Sequence, residues 1–141
     1  MEAFEFLDHT ADLKFRAYGR SLEECLTNAA KALARAFVGE QQLEPRAEKK
    51  ISVSAESLEV LVHHFLSELI YFFATEQYVA VEVASLSVRG GGRYALKARV
   101  LGGVLDLSKQ RVETEVKAVT YHDMKVAEEG GWWVIQVVCD I

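Results

Sequence analysis

Apolar and polar positions along this chain follow two rhythms. Phe4-Glu5-Phe6-Leu7, and then Leu13, Phe15 and Ala17 interleaved with Lys14, Arg16 and Tyr18, repeat at every second residue and predict two short strands. From Leu22 the period lengthens. Leu22, Cys25, Leu26, Ala29, Ala30, Leu33 and Phe37 fall on one helical face, while Lys31 and Arg35 stay off it. Ser21-Leu22-Glu23-Glu24 has the capping-box spacing, in which Ser21 accepts from the Glu24 amide and the Glu24 side chain reaches back. Gly39 can supply the left-handed cap at the other end. Residues 40–50 are polar, hold the only proline, Pro45, and read as a loop. Ile51, Val53 and Ala55 predict a third strand. Ser57 then caps a second helix, whose Leu58, Leu61, Val62, Phe65, Leu66, Leu69, Ile70 and Phe73 make a broad apolar surface.

After Gln77 the period stays at two. Residues 78–88 and 94–106 flank a hairpin turn at Arg89-Gly90-Gly91-Gly92-Arg93, with Gly102 and Gly103 marking a bulge or bend in the second strand. A final hairpin joins 114–127 to 132–141 through a turn at 128–131. The order strand, strand, helix, strand, helix, four strands lacks the regular alternation of a parallel doubly wound fold. It predicts one α+β domain over residues 1–141, a two-layer sandwich in which two long helices cover mainly antiparallel strands. Both chain ends are expected to meet at one edge.

Composition narrows the function classes. With 141 residues, 50% of them hydrophobic, the chain can bury about two thirds of its unfolded surface and needs no staples. Cys25 and Cys139 form no C-x-x-C pair and follow no apolar leader, so a reduced, cytoplasmic protein is expected, with both thiols acting as small buried hydrophobes. No apolar run reaches the roughly 20 residues that cross a bilayer, so no membrane association is expected. The formal charge of −5 argues against direct binding to nucleic acid. The basic stretch at 46–50 is interleaved with Glu44 and Glu48, lacks an aromatic, and reads as a solvated linker.

The candidate chemistry lies at the two ends. Asp8-His9-Thr10-Ala11-Asp12 places two carboxylates and an imidazole within five residues, and Asp140 stands next to the terminal carboxylate of Ile141. The apolar run 132–139 keeps that terminus from fraying. Carboxylates a few ångströms apart repel by about 4 kcal/mol per pair at an effective dielectric near 20, so a positive partner is required. A hard divalent ion, calcium or magnesium, suits oxygen ligands, and a lysine could supplement it. Whether Asp12 joins the group depends on strand order. If the last hairpin has an even loop, Asp140 lies opposite Tyr121 or Val119 and shares a face with Lys117; as a plain surface ion pair that contact would be worth at most about 1 kcal/mol. His63 and His64 are adjacent on a helix, cannot bind metal on one face, and read as structural. The glycine run 90–92 lacks the following helix and the Lys-Ser/Thr of a phosphate loop.

Taken together, Phe6-Leu7-Asp8-His9-Thr10-Ala11-Asp12, Tyr18-Gly19-Arg20-Ser21-Leu22-Glu23-Glu24 followed by Ala29-Ala30, Glu115-Val116-Lys117-Ala118-Val119-Thr120-Tyr121-His122 and the closing Asp140-Ile141 resemble the archease family over essentially the whole chain. The resemblance implies a two-layer α+β protein that binds a divalent metal, typically calcium. It implies a protein cofactor, not itself an enzyme, of RtcB-type RNA ligases in tRNA splicing and RNA end joining. The step promoted would be guanylylation of the ligase's own histidine with GTP and manganese. It further implies Asp12, Asp140 and Ile141 as metal ligands, and Lys117 together with Asp12 and Asp140 as residues needed for activation. RNA would be reached only through the ligase. Two alternatives are a chaperone or modulator of an RNA-modifying methyltransferase, and a small metal-dependent phosphohydrolase with His9 handling a proton. A single metal and the lack of a phosphate cradle weigh against the second.

Overall fold

A computed structural model describes residues 1–9 and 11–141; Thr10 of the D-H-T-A-D motif lies outside the described residues. The elements are β1 (Phe4–Leu7), β2 (Leu13–Gly19), α1 (Leu22–Val38), β3 (Ala47–Ala55), α2 (Leu58–Glu76), β4 (Tyr78–Arg89), β5 (Tyr94–Val104), β6 (Ala118–Glu129) and β7 (Trp132–Asp140). The strands form two sheets, ordered β1-β2-β7-β6 and β3-β5-β4, and every neighbouring pair is antiparallel. This is the expected α+β architecture.

Local chemistry starts both helices where predicted. The Ser21 hydroxyl accepts from the Glu24 amide at 3.0 Å, and the Glu24 carboxylate accepts from the amide of Arg20, one residue before the cap. Ser57 accepts from the Val60 amide at 3.2 Å. Helix α1 is rich in alanine, and Ala29, Ala32 and Ala36 let it sit close between β2 of the first sheet and β4 of the second. Helix α2 packs its Leu61, Val62, Phe65, Leu66 and Leu69 against β6 on one side and β3, β4 and β5 on the other. At 19 residues and mean hydropathy 1.2, α2 is long and apolar enough to cross a bilayer by length and composition, against expectation. Here that apolarity serves the core, and a stacked Phe37–Phe73 pair at 4.3 Å ties the two helices together.

Two expectations are corrected, and the choice between a two-residue and a four-residue loop in the last hairpin is decided. The polar stretch 47–50 belongs to β3, because pairing with 99–102 of β5 satisfies its backbone while Glu48 bonds Arg99 and Lys49 bonds Glu76, each at 2.7 Å. The bulges lie in β4, where Val81 and Ala84 are the extra residues. Gly102 answers a different need, since a Cβ there would stand 1.9 Å from the Val79 carbonyl oxygen. The last hairpin turns on Gly130 and Gly131 alone, at φ +59 and +84. Its ladder runs from Glu129↔Trp132 to Lys125↔Gln136, breaks, and resumes at Thr120↔Val138, so that residues 121–124 face only Val137.

Strand order decides which ends meet. Leu7 pairs with Lys14, and Leu13 with Cys139, so the 8–12 connection lies at the same end of the sheet as the carboxy terminus. The amino terminus itself does not. The Ala3 carbonyl accepts from the Tyr18 amide at 2.8 Å, which places it at the other end, because β1 runs toward the motif.

Candidate functional site

The end of the first sheet is built by three strands. Leu13 faces Cys139, so Asp12, just ahead of β2, and Asp140, the last residue of β7, each lie one residue beyond that pair and come abreast. β7 is buried from Val134 to Cys139 and comes to the surface only at its last residue, Asp140. The Cys139 thiol is pushed up to about 12, first by burial and then by the charges of Asp140 and Asp12, so both carboxylates bear on the same spot. Ala11, in the turn ahead of β2, has φ +63, a left-handed conformation costing on the order of 1 kcal/mol or more for a non-glycine residue.

Lys117, immediately ahead of β6, flanks Asp140. Its amide donates to the Asp140 carbonyl at 2.8 Å, and Ala118 stands opposite Asp140. The predicted partners of Asp140, Tyr121 or Val119, are therefore wrong. The residues inserted at 121–124 slide the ladder, so Lys117 is placed by its backbone rather than by a shared face. Its side chain is exposed. Among the described residues no lysine or arginine forms an ion pair with Asp12 or Asp140; Asp12 meets only His9, with Nδ1 to Oδ2 at 3.5 Å. The Asp12 and Asp140 carboxylates are oxygen donors of the kind that suit a hard divalent cation, and Ile141, next after Asp140, is 45% exposed.

The other candidates fall out as structural. Cys25 is pushed up to about 12 by burial, and its thiol donates to the Ala17 carbonyl at 3.3 Å. His63 is held below its ordinary value chiefly by burial, with Nε2 3.0 Å from the Val119 carbonyl and its ring stacked at 4.3 Å on Tyr121. Two grooves lie elsewhere. One is lined by Lys50, Ser52, Ser85, Ser87, Lys97 and Arg99 on the outer face of the second sheet, the other by residues around Gln42 and Gln110. Of the carboxylate pair, Asp140 is exposed and Asp12 half-buried. Sequence reasoning missed that the β6 insertion carries His122 and Asp123 to His9. Nothing in the local pattern of 121–124 marks an insertion.

A family model, the Archease protein family (MTH1598/TM1083), matches residues 4–141. The chain is 37% identical to a protein archease of Methanosarcina barkeri over 139 residues, covering 98% of this chain and 95% of that one. It is also 37% identical to a protein archease of Thermococcus gammatolerans over 142 residues, covering 100% of both. Among solved structures, the solution structure of Methanobacterium thermoautotrophicum protein 1598 aligns with a TM-score of 0.85 at 29% identity, over 100% of each chain. The crystal structure of an archease, possible chaperone, from Thermotoga maritima aligns with a TM-score of 0.62 at 24% identity over 96% of this chain and 94% of that one, a likeness of fold.

Proposed function

The chain belongs to the archease family, and from that premise we propose that it is a metal-binding protein cofactor, not itself an enzyme, that activates an RtcB-type RNA ligase in the cytoplasm, in tRNA splicing and RNA end joining. The observation that carries this reading is the placement of Asp12 and Asp140 abreast with the Lys117 amide on the Asp140 carbonyl. The side chains of Asp12 and Asp140 and the carboxylate of Ile141 would hold a divalent cation, calcium by preference because all donors are oxygens. When bound, such an ion supplies a compact positive charge with coordination positions left for an outside oxygen. The chain's own part is to hold these groups on paired strands, so that little order has to be created on docking. Exposed Lys117 adds a second positive charge that can reach a phosphate or carboxylate of the partner.

Acceleration of guanylylation requires that contact with this tip favour the activated arrangement of the ligase over its resting one; equal binding to both would change nothing. RNA is reached through the ligase, in keeping with a net charge of −5. The test is guanylylation of a cognate ligase with GTP and manganese, with and without this protein. Asp12→Ala, Asp140→Ala and Lys117→Ala should each remove the stimulation while the variants remain folded. Full stimulation by Asp140→Ala would sink the reading. A second reading is a chaperone or modulator of an RNA-modifying methyltransferase; the words "possible chaperone" attached to the Thermotoga maritima protein favour its chaperone part alone. That role needs a binding face but no metal, so partner activity that survives chelation would support it instead.

A further inference from the structure

Beside the carboxylate pair lies a second group of ligating side chains that the proposed activation does not use. His9, His122 and Asp123 each present one ligand atom, and these atoms all lie within 4.8 Å of one another. We propose that His9, His122 and Asp123 form a second metal site, for a divalent cation that accepts nitrogen ligands, zinc first among them. Two imidazoles and one carboxylate give the three-ligand set that zinc takes when it keeps a position open; calcium, which takes oxygen, has no use for it.

The geometry is close to closed. Ligands about 2.1 Å from a tetrahedral zinc stand about 3.4 Å apart, so the present spacing must shrink by at most about 1.4 Å. His122 Nε2 is already 3.5 Å from Asp123 Oδ2. The His9 and His122 rings meet edge to face at 6.1 Å. The His122 and Asp123 side chains are 67% and 49% exposed and free to swing the remaining distance.

Two further features point to a ligand. Asp123 is held at φ +52, rare for a non-glycine residue, and the buried Gln136 side chain donates to its carbonyl at 2.7 Å while accepting from Arg16 Nε at 2.7 Å. A buried polar network therefore maintains a strained residue in an insertion that breaks the ladder, as recurs at binding sites. His9 Nδ1 is buried and lacks a hydrogen-bond partner among the described residues, although Asp12 Oδ2 stands 3.5 Å away. An imidazole with one nitrogen turned toward a carboxylate is the arrangement that orients metal-bound histidine, and Nε2 is then the nitrogen left for the ion. The same Asp12 would link this site to the carboxylate pair. Lys14 Nζ, 3.8 Å from Asp123 Oδ2, is the charge the cation must displace.

The test is titration of the full chain with cobalt, a spectroscopic stand-in for zinc, followed by competition with zinc and then with excess calcium. Unmodified protein should show visible absorption bands that saturate at one equivalent, are erased by zinc and resist calcium. His122→Ala and Asp123→Ala alter exposed side chains and should weaken cobalt binding by at least about 10-fold. Asp140→Asn should leave the bands in place, and Lys14→Gln should strengthen binding. No bands in the unmodified protein, bands that survive His122→Ala, or bands lost in Asp140→Asn but kept in His122→Ala would each overturn the proposal. Only the last of these would at the same time support a metal at the carboxylate pair.

Discussion

Replacing Asp140 by asparagine removes a charge and almost no volume, and the result should depend in sign on whether calcium is present. Asp12, just ahead of β2, and Asp140, at the end of β7, each lie one residue beyond the Leu13↔Cys139 pair, and continuing that register sets their Cα atoms about 4.5–5.5 Å apart. Carboxylates about 5 Å apart repel by about 3 kcal/mol at an effective dielectric of 20 and by under about 1 kcal/mol in bulk water. Asp140 is exposed and the Asp12 side chain is 33% exposed, so solvent screening puts the working figure near the lower end, about 1 kcal/mol. In chelator the variant should therefore melt higher by about 3 °C, the usual conversion for a chain of this size. With calcium at about 100 times its dissociation constant the unmodified protein gains about 2.7 kcal/mol, or about 8 °C, and the variant, short of a ligand, gains little. The order of melting temperatures should cross between the two conditions. Circular dichroism melts of both proteins in chelator and in calcium read this directly. Equal calcium shifts would remove Asp140 from the site, and a lower melt of the variant in chelator would refute the repulsion itself.

Deleting Ile141 moves the terminal carboxylate back by about 3.3 Å but leaves the apolar pairs of β7 intact, so the chelator melt should barely change while the calcium shift disappears. Gly102→Ala places a methyl 1.9 Å from the Val79 carbonyl oxygen, which is backbone and cannot swing aside; denaturant unfolding should show a loss of about 3 kcal/mol, and a loss under about 0.5 kcal/mol would mean that β4 and β5 separate easily. Burial holds His63 below its ordinary value of 6.5, so as pH falls the unfolded chain takes up this proton first. The stability owed to neutral His63 is complete above about that value and is lost as pH drops from there through the lower folded value; melts from pH 8 to 5 should fall less steeply in His63→Gln than in the unmodified protein.

Much of the fold was legible because its signals are local. Ser21 and Ser57 cap helices through their own hydroxyls, Gly130 and Gly131 turn a hairpin because both need positive φ, and the alternation along 13–18 and the short apolar run 132–139 assign those stretches to strands. The chemistry of the site was legible for a similar reason, since Asp140 and the terminal carboxylate are neighbours by covalent connection. Alternation, however, tells a strand which face to bury and not which strand to lie beside. The order β1-β2-β7-β6, which sets Asp12 against Asp140, was decided by burying Phe15, Ala17, Ile135 and Val137 together under α1. The polar stretch 47–50 became strand only because β5 offered its edge, and residues 121–124 carry no propensity that announces an insertion. The sequence by itself therefore determined the elements and the donor atoms. The tertiary structure alone decided the pairing that brings Lys117 to Asp140 and the ladder break that brings His122 and Asp123 to His9, because both depend on register between segments distant in the chain.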